Sequence, residues 1–306
     1  MLPLGRQAAL AKLLREADGM DILKGIGAWW NGFGALDGDL VAETARASAA
    51  SLDYVVVKYG NPAAEQAFSA AGLLRGSERF VSAASPAAEA GMLSDAVDAG
   101  AAFAVINAEE GGGFDAGGAA GNAMAGIIDA FRARHAGTPL YAALDTRGAR
   151  TSYPYQQVAL ARCDAVMPMV YPAAFYPAQP SGYVHQAVAD ALAPLAGQRL
   201  PLHPIIQTYG GIGAAAVLQE IQEVGAYQVR SFSAYTIGHA TDAEWQQIVN
   251  VRRLQQALAA QAARQAASAA FARVAQDIAD GMAAAQIPAA DRAIVRFIAA
   301  LLPAPG

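Results

Sequence analysis

The chain has 306 residues, 55% of them apolar and 15% charged, with a net charge of −5 and a pI of about 5.4. That composition supplies a large core and excludes a mainly disordered chain, and with no basic excess it gives no footprint for nucleic acid. The single cysteine, Cys163, excludes an internal disulfide and a cysteine-based zinc cluster, and four scattered histidines without an HExxH pattern offer no metal site.

The first nineteen residues, MLPLGRQAALAKLLREADG, read as an amphipathic helix and lack the apolar centre of a secretory signal. No stretch approaches the roughly 20 apolar residues that span a bilayer. The expectation is a soluble chain without a signal peptide, cytoplasmic or virion-associated, with no membrane span. Eight apolar runs follow at 24–30, 53–60, 79–85, 101–110, 139–146, 164–172, 201–210 and 229–238. They are rich in β-branched and aromatic residues, end in turn formers, and are apolar throughout rather than alternating, as parallel strands buried on both faces should be.

Helical patterns separate the runs, at 39–52, 61–74 and 85–100 for example. In the last, Ser85 can cap, Pro86 suits the first turn and Gly100 the stop. Eight β-α units predict an α/β fold, a (β/α)8 TIM barrel, over residues 1–252 including the N-terminal helix. A doubly wound open sheet is the alternative, with WWNGFG as its phosphate turn. Residues 253–306 read as an alanine-rich helical tail, with Phe271, Val274, Ile278 and Met282 at helical spacing and a second helix after Pro288. The tail either packs on its own domain or serves a homo-oligomer or an assembly partner.

Barrel active sites lie at the C-terminal ends of the strands. Those ends present Trp29 and Trp30, Lys58, Asn107, Glu109 and Glu110, Asp145, Tyr171, Gln207 and Tyr209, and Tyr235. Carboxylates there suit general acid–base work, and Trp and Tyr stack on sugar rings. In VINAEEGGG, alternation puts Val105, Asn107 and Glu109 on one face, and the glycines allow close approach to the backbone. Glu110 would take the other face, free to cap or be solvated. Trp29 and Trp30 cannot both face inward. Lys58 either neutralises a carboxylate such as Glu109, binds an acidic sugar, or closes the barrel mouth in an ion pair. Asp145 either pairs with Glu109 or caps the next helix. The loop 172–183, with its tyrosines, phenylalanine and prolines, reads as an aromatic wall over the cleft.

The pattern VxNxE at Val105, Asn107 and Glu109 resembles the DxDxE strand of family 18 glycoside hydrolases, the chitinase-like barrels. MVYP, through Met169 and Tyr171, resembles their MxYD strand, and Tyr235 stands where that family often has Trp. The chain is also similar to uncharacterised glycosidase-like barrels of phage and bacterial genomes, through VVVKYG, the NxE and CDAVMPMVY (163–171). The resemblance implies Glu109 as general acid and Tyr171 as a ligand of the reacting sugar. It departs from the family at Asn107, where a carboxylate orients the N-acetyl group, and at Pro172, where the family has Asp.

The expected function is a glycoside-hydrolase-like barrel acting on a polysaccharide, such as peptidoglycan or chitin. Glu109, Asp145 and Tyr171 are its catalytic candidates. Trp29, Trp30, Lys58, Asn107, Glu110, Gln207, Tyr209 and Tyr235 are its substrate-binding candidates, and neither metal nor cofactor is expected. The alternative is a non-catalytic carbohydrate-binding or structural barrel, for instance in a virion or secretion assembly. A lyase using Lys58 as a Schiff base is a third class.

Overall fold

The structure, a computed structural model, describes residues 22–32, 39–177, 183–198, 200–227 and 229–279. Eight parallel strands close in sequence order into a barrel: β1 (Gly25–Trp30), β2 (Tyr54–Lys58), β3 (Leu74–Phe80), β4 (Phe103–Asn107), β5 (Leu140–Leu144), β6 (Ala165–Val170), β7 (Ile205–Gln207) and β8 (Ser231–Tyr235). Closure excludes the open sheet. The intervening helices are α1 (Leu40–Ala49), α2 (Pro62–Ala70), α3 (Pro86–Asp98), α4 (Gly118–Arg134), α5 (Pro154–Arg162), the short α6 (Pro172–Phe175), α7 (Val184–Leu192) and α8 (Ala214–Gly225). Asp39 caps α1 by accepting from Val41 N at 3.0 Å, and Pro62, Pro86 and Pro154 occupy first turns, where no N–H is needed. Ser85 precedes α3 without a side-chain cap bond.

Two apolar layers follow from strand alternation. The inner one fills the barrel with Trp29, Tyr54, Phe103, Tyr141 and Met167, among others. Large rings fit because glycines face them: a Cβ at Gly27 would lie 2.2 Å from the Tyr54 ring, and one at Gly76 2.0 Å from Phe103. At the bottom the polar tips are satisfied, with Tyr54 Oη and Ser231 Oγ 3.1 Å apart and His203 Nδ1 2.6 Å from the same hydroxyl. The outer layer packs Ile106, Leu140 and Leu144 against Met124, Ile127 and Phe131 of α4. Each such side chain contributes about 1.5–3 kcal/mol on burial.

Two strands depart from the sequence expectation. β3 spans Leu74–Phe80 rather than 79–85, because its arginines are paired with carboxylates of the flanking helices. Arg75 meets Glu65 of α2 at 2.9 Å and Arg79 meets Glu89 of α3 at 2.7 Å, so a charged segment is a buried strand. β7 is reduced to three residues with one isolated bridge, Val166 to Leu202, since Pro201 and Pro204 cannot donate to the ladder.

The last helix, α9 (Asp242–Ala279), starts in the first compact unit, which ends at Val249, and continues in the second, which begins at Asn250; the expected boundary was 252/253. Leu254 and Leu258 on it are exposed. The segment 1–21, the side chains of Phe271, Val274, Ile278 and Met282, and the segment after Pro288 lie outside the described residues. No described helix is long and apolar enough to cross a membrane.

Candidate functional site

A cleft of about 480 Å³ opens where the strands end, lined by residues from β1, β4, β6, β7 and β8 and from the segments that follow β4 to β7. Asn107 is the last residue of β4, and Glu109 follows in extended backbone. The chain then turns at once: Gly112 N and Phe114 N both donate to Glu109 O, at 2.9 and 3.3 Å. Gly112 is needed in this turn, because a Cβ there would lie 2.2 Å from Val81 O, and Gly113 has a φ of 83°. Glu109 and Glu110 both line the cleft, Glu110 with its carboxylate 3.5 Å from Arg150.

Burial raises the Glu109 carboxyl above the ordinary carboxylate range; a hydrogen bond to the Asn107 side chain opposes this, and the charge of Asp145 adds to it. The Asn107 side chain also acts on a second carboxyl, Glu78 of β3. Glu78 is 3% exposed, and burial pushes it up to about 7. The Asn107 bond and the charges of Lys58 and Arg79 lower it, and the charge of Glu109 raises it. Lys58 is the register partner of Glu78 across β2 and β3.

The opposite wall is aromatic. Tyr171 stands 5.7 Å from Tyr209 and 5.6 Å from Tyr235 between ring centres, and Trp29 is 5.8 Å from Tyr235. Trp29 Nε1 donates to Ser233 Oγ at 2.9 Å, and Asn31 Nδ2 donates to Tyr235 Oη. Burial, first of all, pushes the Tyr209 phenol up to about 12 and those of Tyr171 and Tyr235 upward as well. All three therefore remain hydroxyl donors at neutral pH.

No family model matches the sequence, and no curated protein matches it. Solved structures do. A chitinase from Chromobacterium violaceum aligns at 16% identity over 74% of this chain and 98% of its own, with a TM-score of 0.51. The spore cortex-lytic enzyme SleL of Bacillus cereus aligns at 11% identity over 74% of each chain, with a TM-score of 0.52. The glycoside hydrolase domain of PgaB from Bordetella bronchiseptica aligns at 10% over 74% of this chain and 98% of its own, with a TM-score of 0.50. The fold is that of a glycoside-hydrolase-like TIM barrel. At these identities the likeness is one of fold.

The cleft of this barrel brings together Trp29, Asn107, Glu109, Glu110, Asp145, Tyr171, Tyr209 and Tyr235 from the sequence-predicted set. Trp30, Lys58 and Gln207 do not line it. Trp30 alternates to the outer face of β1, because Trp29 takes the inner one. Lys58 is the register partner of Glu78, and its charge lowers that carboxyl. Gln207 is fully buried and its amide is spent on backbone: Ala173 N donates to Oε1 at 2.9 Å, and Nε2 donates to Tyr209 O at 3.0 Å. It ties the loops after β6 and β7 together.

Asp145 lines the cleft but is clamped by Arg147 at 2.6 Å and Arg150 at 3.3 Å, and the Arg147 guanidinium lies 3.3 Å over the Phe175 ring. Sequence reading offered Arg147 at the end of the fifth strand but not its pairing with Asp145, and it missed Arg150 and Glu78. Alternation in LRGSERF, with Gly76, Glu78 and Phe80 on one face, carried the signal for Glu78. Among the described residues, no three His, Cys, Asp or Glu side chains group to hold a metal ion.

Proposed function

We propose that this barrel hydrolyses a glycosidic bond of a polysaccharide, with Glu109 as the general acid. The observation that carries the reading is the Glu109 carboxyl itself: partly buried, raised toward its neutral form, and facing an open cleft walled by Trp29, Tyr171, Tyr209 and Tyr235. A carboxyl whose proton is retained above the ordinary range can donate it to a leaving oxygen. The glycosidic C–O bond then breaks with its electron pair on that oxygen. Water adds its hydroxyl to the anomeric carbon, and its remaining proton goes to a carboxylate, Asp145 or Glu109. Asp145 is the partner that touches the cleft, and its charge already acts on Glu109. The fold neighbours named for chitinase and spore cortex-lytic activity support an amino-sugar polymer, chitin or peptidoglycan, as substrate class.

The clamping of Asp145 by two arginines favours a second reading, a barrel that binds such a polymer without cleaving it. One comparison separates the two. Reducing ends released from chitin oligosaccharides and from peptidoglycan are measured for the natural chain and for Glu109→Gln. The hydrolase reading expects release to fall on the order of 100-fold or more in the variant, with binding retained. Equal release from both contradicts it, and binding without any release from either supports the binding barrel.

A further inference from the structure

We propose that Arg150, with Arg147 beside it, is a subsite for a carboxylate carried by the polymer, so that this cleft takes an acidic glycan in preference to a neutral one. The proposal rests on the reading of the cleft as a polysaccharide site, whether or not it cleaves. It sorts peptidoglycan from chitin, because the muramic acid units of peptidoglycan carry a lactyl carboxylate and chitin has no such group.

Both arginines line the cleft, but they are not equivalent. They stand on the segment after β5, where Gly148, with a φ of 58°, begins the 3-10 turn Gly148–Ser152 and Arg150 N donates to Arg147 O at 3.2 Å. Arg147 is locked. Its Nε and Nη2 donate to the two oxygens of Asp145 at 2.8 and 2.6 Å, and its guanidinium lies over the Phe175 ring. That fork occupies the bidentate geometry of the Asp145 carboxylate. Arg150 reaches the same carboxylate only at 3.3 Å, and Glu110 at 3.5 Å. Strong bonds between a guanidinium and a carboxylate are about 2.7–2.9 Å long. Among the described residues, Nη1 of Arg150 has no hydrogen-bond partner. The cleft thus presents a guanidinium that no carboxylate of the protein fully engages.

Glu110 is the group that yields. Its side chain is 61% exposed, and an exposed pair at this distance is weak. A carboxylate on the polymer takes its place on Arg150, and Glu110 turns to solvent. The exchange keeps one carboxylate on that face of the guanidinium before and after binding, so no cation is left bare. Asp145 keeps Arg147 throughout. Glu109, raised toward its neutral form, repels the incoming anion less than an ionised carboxylate would. A sugar hydroxyl does not drive the exchange, since it is a weaker acceptor than the carboxylate it would displace.

The test is calorimetric binding to the full chain carrying Glu109→Gln, which removes turnover. Three tetrasaccharides are compared: alternating N-acetylglucosamine and N-acetylmuramic acid with free lactyl carboxylates, the same glycan with those carboxylates blocked as methylamides, and the neutral chitin tetramer. The free acid should bind about tenfold tighter than the blocked glycan, by a margin that narrows with salt. Adding Arg150→Gln should shrink that margin to about twofold or less and leave the blocked glycan's affinity unchanged. Adding Glu110→Gln removes the competing carboxylate and should tighten only the free acid. Equal affinity for free and blocked glycans, a margin that survives Arg150→Gln, or a free-acid affinity that ignores Glu110→Gln overturns the proposal. Binding of all three glycans without preference leaves the polysaccharide reading standing while the subsite fails. Binding of none defeats that reading, and the subsite falls with it.

Discussion

Lys58 on β2 and Glu78 on β3 are register partners, one strand spacing apart at the depth of Val105. Their charges oppose within the barrel wall, and Lys58 lowers the Glu78 carboxyl against the larger upward push of burial. Replacing Lys58 by Met should therefore move the Glu78 titration above its value near 7. Carbon-13 NMR of the carboxyls measures this directly, and an unmoved titration would show that the two charges do not meet.

Glu78 also links pH to stability. Its carboxyl ionises at about 7 in the fold and at 4.5 in an ordinary environment. The folded chain binds the proton more tightly, so stability present at low pH is lost as pH rises from about 4.5 through 7. The full loss is about 3 kcal/mol. Glu78→Gln should raise the urea midpoint at pH 8 and leave it nearly unchanged at pH 4.

Glu220 of α8 predicts a second, independent slope. Its side chain is fully buried; Oε1 accepts from Gln207 N at 3.0 Å, and Oε2 has no partner. Burial raises it well above the usual range, against the opposing Gln207 bond. The sign is the same as for Glu78: stability falls as pH rises above the ordinary carboxylate value. Glu220→Gln keeps the acceptor, so thermal unfolding should show the variant gaining on the natural chain at pH 8 and matching it at pH 4.

Gly76 is a packing prediction. A methyl group there would meet the Phe103 ring at 2.0 Å, in a barrel interior with no room to yield. Gly76→Ala should cost about 1–3 kcal/mol, as overpacking does, and more if the strand must shift. Gly91, with nothing within 4 Å, is the control: its replacement by Ala should be tolerated.

Much of this was legible in the sequence, for physical reasons that also mark the limits. Seven strands announce themselves because parallel strands buried on both faces are apolar along their length. β3 does not, because Arg75 and Arg79 find Glu65 and Glu89 outside the sheet and Glu78 finds Asn107 within it. Placing that strand at 79–85 instead of Leu74–Phe80 meant missing the second carboxyl. The placement of Asn107 and Glu109 followed from alternation along β4, which is local. The fate of Gln207 was not local: its amide is consumed by Ala173 and Tyr209, contacts that exist only once the loops are folded. The pairing of Asp145 with Arg147 and Arg150 lies within five residues, but the turn that brings them together was not read.

The central claim is that the cleft adds water across a glycosidic bond. The most direct measurement is mass spectrometry of products formed from defined chitin and peptidoglycan oligosaccharides. The account predicts two fragments whose masses sum to the substrate plus one water, formed by the natural chain and not by Glu109→Gln. Intact oligosaccharide, or fragments that sum to the substrate without added water, would contradict it.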